Sequence, residues 1–148
     1  MPPVAFHFNV PALPEYLCRL LKKATLAGHR AWVLLPADQL EDMNIRLWTF
    51  SQSDFIAHAV ASPEASALMR RSSVVLSDTE PGPDPSEGWT LLVNTLAPFP
   101  HNPARFDRVV ELVTTDETHR AAARQRWKRY RESGFDIEQH DVAQWSPT

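Results

Sequence analysis

Glycine is scarce in this chain, and its four copies, Gly28, Gly82, Gly88 and Gly134, stand far apart. They cannot compose G-x-G-x-x-G or G-x-x-x-x-G-K-[ST], so both glycine-rich phosphate loops are excluded. The first connection, Asn9-Val-Pro-Ala-Leu-Pro14, has no glycine to admit a pyrophosphate. Cysteine is scarcer still. Cys18 alone cannot form an internal disulfide, which fits a reducing compartment and makes a cytoplasmic location the expectation. The six histidines are scattered, with no two at metal-ligand spacing, so neither metal nor cofactor is expected. No G-x-S-x-G elbow offers a serine nucleophile. Carboxylate pairs such as Glu41-Asp42 fall at surface positions of a helix. No apolar run approaches the ~20 residues of a membrane span, and Met1–Phe6 lacks the features of a secretory signal. With no catalytic constellation to name, the chain reads as a binding protein and not an enzyme.

What is present suits one globular domain over 1–148: 148 residues, 43% hydrophobic and 22% charged. Val4–Asn9 predicts a first strand. Leu13, Leu17, Leu20, Leu21 and Ala24 recur at helical spacing behind Pro14 and stop at Gly28. Cys18 lies inside that helix as a packing residue. Ala31–Leu35 is a continuous apolar run, as in a strand covered on both faces. Asp38–Phe50 predicts a second helix, and Ser51–His58 a loop entering a short strand. The stretch Ala59–Arg71 fits a helical turn or irregular structure. Ser73–Ser77 and Trp89–Asn94 are further strands, separated by a proline-rich surface loop, 79–88. Asn102-Pro103 opens a predicted helix whose inner stripe is Phe106, Val109, Val110 and Val113. Phe135-Asp-Ile-Glu138 ends the ordered part as an edge strand or extended tail, with a short C-terminal tail at 138–148. Strands alternating with helices predict an α/β fold around a largely parallel sheet.

The most distinctive stretch is the helix predicted over Thr118–Arg131. It holds five arginines and one lysine with no carboxylate, in a chain of net charge −3. Thr114 and Glu117 have capping-box spacing at its start, and Gly134 suits its left-handed end. Arg120, Arg124, Trp127/Lys128 and Arg131 share one face at 3.6 residues per turn. Two readings follow. Basic residues near a helix C-terminus suit the macrodipole and give a solvated face; a self-repelling stripe around a tryptophan also suits an anionic ligand.

Two blocks resemble a known family. Leu47-Trp48 followed by Asp54-Phe55-Ile56-Ala57-His58 resembles the L-W-x(6)-F-x-P-H block of the chi subunit of bacterial DNA polymerase III. Arg124-Gln-Arg-Trp-Lys-Arg-Tyr-Arg-Glu-Ser-Gly-Phe135 resembles its R-x-R-Y-K-x-Y-x-x-x-G-F close. Trp127 stands at the family's tyrosine, Ala57 replaces the proline before His58, and Ala59–Arg71 lacks the family's usual glycines. The resemblance implies a three-layer, Rossmann-like fold without a nucleotide site. It implies a non-catalytic accessory subunit that pairs with psi in the clamp loader and binds the acidic C-terminal tail of single-stranded DNA-binding protein. In some bacteria a repair helicase is a further partner. DNA contact would be mainly indirect.

By the same resemblance, Arg124 would hold the terminal carboxylate of a tail ending in proline-phenylalanine. Trp48, Phe55, Val113 and Trp127 would wall a slot for its ring, and Arg120 and Lys128 would attract its acidic stretch. Val113, Trp48 and Phe55 equally suit core packing. The alternative is direct binding of single-stranded nucleic acid by helix 118–131, with phosphates on its cations and a base stacked on Trp127 or Tyr130.

Overall fold

Short apolar runs bounded by turn-forming residues become the centre of the sheet. The computed structural model describes residues 1–50, 56–83 and 87–143. Among them β1 (Val4–Val10), β2 (Ala31–Leu34), β3 (His58–Val60), β4 (Val74–Ser77), β5 (Leu91–Asn94), β6 (Arg108–Thr114) and β7 (Ile137–Asp141) form one sheet. It has seven strands in the order β3-β4-β2-β5-β6-β1-β7, and every pairing is parallel. β2, β4 and β5 are buried along their whole length, which requires apolar side chains on both faces.

Alternation sorts those side chains into two layers. Val33, Leu35, Leu76 and Leu112 pack with α1 (Leu13–Leu26) and α2 (Leu40–Phe50). Trp32, Leu34, Leu92 and Val109 pack on the other face, with Ala123 and Tyr130 of the last helix and Met69 of α3 (Ser66–Arg71). That last helix is α4 (Glu117–Glu132). The result is a three-layer α/β fold, helices on both faces of a parallel sheet. α1 buries Leu17, Cys18, Leu21 and Ala24 at the expected spacing, and Gly28 ends it at φ +90°. The proline-rich loop is tied down at its base. Glu80 accepts from the backbone N–H groups of His101 (2.7 Å) and Asn102 (3.2 Å), and the Trp32 indole donates to the Thr79 carbonyl at 2.8 Å.

Three expectations change, and one left open is resolved. The helix expected after Asn102-Pro103 is a single 3-10 turn, Pro103–Arg105, followed by strand β6. Val109, Val110 and Val113 match a helical stripe by position, yet β6 is buried on both faces between β5 and β1, so no alternation marks it. β-Branched residues are also stiff in helices and pack well on a pleated surface. α4 is capped by Asp116, whose carboxylate accepts from His119 N–H at 2.9 Å; Thr114 is the last residue of β6. The stretch left open, Ala59–Arg71, contains the end of β3, a 3-10 turn and α3. Residues 138–141, expected to begin the tail, belong to edge strand β7. No described helix is long and apolar enough to cross a membrane.

One half-buried titratable group lies on the α1 side of β1. Burial pushes the His7 imidazole down to about 4, with help from His140 and Arg108. The Tyr16 hydroxyl sits 2.6 Å from Nδ1 and donates to it while the ring is neutral, and the His140 ring is 5.1 Å away. The unfolded chain takes up this proton near the ordinary value of 6.5, before the folded one does. Acidification from 6.5 toward 4 therefore removes stability, and this contribution levels off below about 4. His7→Gln keeps a partner for Tyr16 and does not titrate. Urea midpoints between about pH 7 and about pH 4 are expected to fall less in His7→Gln than in the parent; equal slopes would remove His7 as the cause.

Candidate functional site

α4 presents three different surfaces because its residues point three ways. Its inward stripe is Ala123, Arg126 and Tyr130, all buried. Its start is fixed by His119. The Nε2–H donates to the Thr95 carbonyl at 2.8 Å, while Nδ1 accepts the Thr114 N–H at 3.0 Å. That pair of bonds requires the neutral ring and ties the helix to the ends of β5 and β6. Gly134 closes it at φ +87°, a conformation costing an L side chain about 1–2 kcal/mol.

Beneath α4 lies a buried charge network. Glu111 of β6 is 0% exposed and Arg126 2%. The carboxylate accepts from Arg126 Nε (2.9 Å), Tyr130 Oη (2.8 Å) and Asn94 Nδ2 (3.1 Å to each oxygen). Arg126 Nη1 donates to the Ala97 carbonyl at 3.1 Å, and Nη2 has no partner among the described residues. Complete burial pushes the Glu111 carboxyl up, and Arg126, Asn94 and Tyr130 pull it back. Burial likewise raises the Tyr130 phenol, with the Glu111 charge next. Phe6, Phe99 and Phe135 surround the Tyr130 ring at 5.9, 4.6 and 5.3 Å.

Facing outward, α4 forms one wall of a groove of about 330 Å³ whose floor is β1 and β7. Phe6, Phe8, Val113, Ala123 and Trp127 line it with Gln139, and Arg120 and Arg124 complete the lining. Arg131 lies 5.4 Å over the Trp127 ring, and the buried indole N–H has no partner among the described residues. Arg124 is paired with Glu117 at 3.0 Å, but the two side chains are 60% and 76% exposed. Such a pair contributes only about 0–1 kcal/mol, so a better-placed carboxylate displaces Glu117 at little cost. An apolar slot beside two guanidinium groups accommodates a ring bonded close to a carboxylate.

Of the residues singled out in the sequence, Arg120, Arg124, Trp127 and Val113 come together here. Lys128 does not. It turns to the other flank of α4, lining a polar groove with Gln125, Arg129 and Phe99. Trp48 is also elsewhere: 52% exposed on α2, its ring 4.7 Å from His58 of β3. Five strand steps separate β3 from β1, roughly 24 Å at 4.7–4.9 Å per step. Phe55 lies outside the described residues. Tyr130 is 0% exposed, which removes it as a stacking platform for a base. Sequence reading missed Phe6, Phe8 and Gln139, whose approach to α4 depends on strand order. It also missed Glu111, for which a signal existed: a lone carboxylate inside Val109-Val-Glu-Leu-Val113.

Elsewhere, burial pushes the Cys18 thiol up to about 11, so it is not a thiolate at neutral pH. No group of three or more potential metal-ligating side chains exists among the described residues.

Comparison with known proteins gives concordant results. The family model described as DNA polymerase III chi subunit, HolC, matches residues 1–138. The chain is 33% identical over 127 residues to the DNA polymerase III subunit chi of Pseudomonas aeruginosa, covering 85% of this chain and 84% of that one. Its fold is similar to the C-terminal domain of Saccharomyces cerevisiae Dbp5, solved bound to Gle1 and IP6, with a TM-score of 0.63. That match covers 96% of this chain and 90% of the other at 9% identity, a likeness of fold alone.

The buried network makes a definite stability claim. Arg126→Met leaves the Glu111 carboxylate without its cation and is expected to cost about 3–5 kcal/mol in urea unfolding. A loss within about 0.5 kcal/mol, the range of ordinary surface substitutions, would contradict the pairing.

Proposed function

The chain belongs to the DNA polymerase III chi-subunit family, and on that premise we propose that it is a non-catalytic, cytoplasmic accessory subunit of the holoenzyme. It links the clamp loader, through psi, to single-stranded DNA-binding protein by docking that protein's acidic C-terminal tail. The observation that carries this reading is the groove between α4 and the β1–β7 edge. Apolar walls from Phe6, Phe8, Val113 and Trp127 meet Arg120 and Arg124 there. A tail ending in Pro-Phe supplies the matching groups: a ring for the walls, a free carboxylate for Arg124, and aspartates for the field around Arg120.

Psi needs a separate surface if both partners are to be held at once. The α1–α2 layer offers one, a groove lined by Pro14, Cys18, Ile45 and Phe50 together with Glu15, Arg19, Arg46 and Thr49. Ile45 is 55% exposed there, and Trp48, also on α2, is 52% exposed. Large apolar side chains left in solvent suit a partner helix with an apolar face. This layer lies across the sheet from α4, so psi and the tail do not compete.

The test is a titration with an acidic peptide ending in Pro-Phe, run beside a copy lacking the final Phe. Saturable binding at roughly micromolar strength, about −8 kcal/mol, is expected. Arg124→Ala removes a charge-assisted hydrogen bond and should cost about 1.5–3 kcal/mol of it. Binding should also weaken with salt. Absence of peptide binding, together with steeply salt-dependent binding of a single-stranded oligonucleotide, would replace this reading with direct nucleic-acid binding through α4.

A further inference from the structure

The basic motif divides into residues that meet solvent and residues that never do. Arg124 and Trp127 line the groove, whereas Arg126 and Tyr130 close the buried network on Glu111 and Asn94. The inward stripe of α4 carries no branched aliphatic side chain: it consists of the small Ala123, a guanidinium and a phenol. The Tyr130 ring packs among Phe6, Phe99 and Phe135, and directional bonds add to that contact a fixed orientation of α4 about its own axis. Arg126 Nε and Tyr130 Oη donate to different oxygens of one carboxylate, at 2.9 and 2.8 Å, from positions one turn apart. Asn94 holds both oxygens from β5, which leaves the carboxylate little freedom of its own.

The outward residues are the neighbours of these anchors in sequence. Side-chain tips lie 5–6 Å from a helix axis, so a turn of about 20° moves them by about 2 Å. A displacement of that size separates a guanidinium from a carboxylate it would otherwise meet and alters the width of an aromatic slot. We propose that the buried Glu111–Arg126–Tyr130–Asn94 network sets the rotation of α4 and so positions Arg124 and Trp127 to receive the peptide. Glu111 and Arg126 are positioning residues that never touch the ligand. The inference rests on the tail-docking reading for its functional consequence, while the rotation itself does not.

The pair lends itself to a test in which stability and positioning part company. Replacing a buried ion pair by apolar residues of similar volume often leaves stability unchanged or raised. The full chain carrying Glu111→Leu and Arg126→Met together keeps the space filled and loses the directional bonds. Its urea midpoint is expected to fall less than that of Arg126→Met alone, because no charge is left buried although the Tyr130 hydroxyl loses its acceptor. Its affinity for the Pro-Phe peptide should fall about tenfold, because the groove is no longer preorganised. The gap in affinity between the peptide and its copy lacking Phe should narrow as well. Tyr130→Phe removes one hydroxyl and should lower affinity by about threefold with the fold intact. A folded double variant that binds within about twofold of the parent overturns the proposal. If the double variant does not fold, Tyr130→Phe decides by the same twofold limit. A crystal structure of whichever variant folds reads the rotation without a ligand. An unturned α4 overturns the proposal even if the peptide fails to bind the parent, an outcome that would count against tail docking separately.

Discussion

A carboxylate with no access to water sits at the centre of the sheet, and the placement of the last helix depends on it. Glu111 is 0% exposed on β6, between two other buried strands. An unpaired charge there would be prohibitive, since desolvation costs several kcal/mol per ion even after relaxation. Arg126, Tyr130 and Asn94 offset that cost with bonds of 2.8 to 3.1 Å. Three elements, β5, β6 and α4, are thereby held to one point. In a low-dielectric interior such bonds are strong when made and costly when broken. The network therefore contributes little net stability over an apolar core, but it penalises any other arrangement of the same helix.

This changes the meaning of the basic run. Read along the sequence, it is a self-repelling stripe. In space its charges separate in three directions. Arg126 is neutralised inside, Arg120 and Arg124 line the β1–β7 groove, and Lys128 and Arg129 line the opposite flank. Arg129 lies 4.4 Å over Phe99 and Arg131 5.4 Å over Trp127, so two of these cations rest on aromatic faces. Repulsion is relieved by geometry and not by a bound ligand. The shape of the groove and the weakness of the Arg124–Glu117 pair, and not the charge count, favour an anionic partner.

Most of the fold was legible in the sequence because its signals are local. β1, β2, β4 and β5 are short apolar runs, and α1, α2 and α4 carry helical spacing or clear end signals. β6 was not legible. A strand buried on both faces shows no alternation, and its valines happen to fall at i, i+1 and i+4, which also fits a helix. Glu111 within that run was the available clue, because a helix would have turned it to solvent while a central strand cannot. The site was legible only in part, for a related reason. Arg120, Arg124 and Trp127 share one helix, and Val113 is the penultimate residue of the strand just before it, so helical and chain proximity sufficed. Phe6, Phe8 and Gln139 reach the groove only because β1 and β7 lie beside β6 in the sheet order. Trp48 failed by the same rule: its sequence block says nothing about which edge of the sheet it occupies.

Strand order also bears on how one small chain would hold the two proposed partners. β1 pairs with β6 and β7, far from β2, so the chain crosses the sheet at once and α1 packs with α2 on one layer. The late elements β6, α4 and β7 then return to β1 and build the groove on the other layer and at the other edge. Between the two surfaces lies a sheet whose central strands are fully buried and close-packed, with little compressibility. On the proposed reading, this close-packed sheet opposes transmission of a change from one surface to the other. The two partners would then bind independently, and the subunit would serve as a rigid spacer. Allosteric coupling would require two discrete arrangements of some element between the sites. The one element with a built-in preference for a single arrangement is α4, and its anchor to Glu111 opposes any second one.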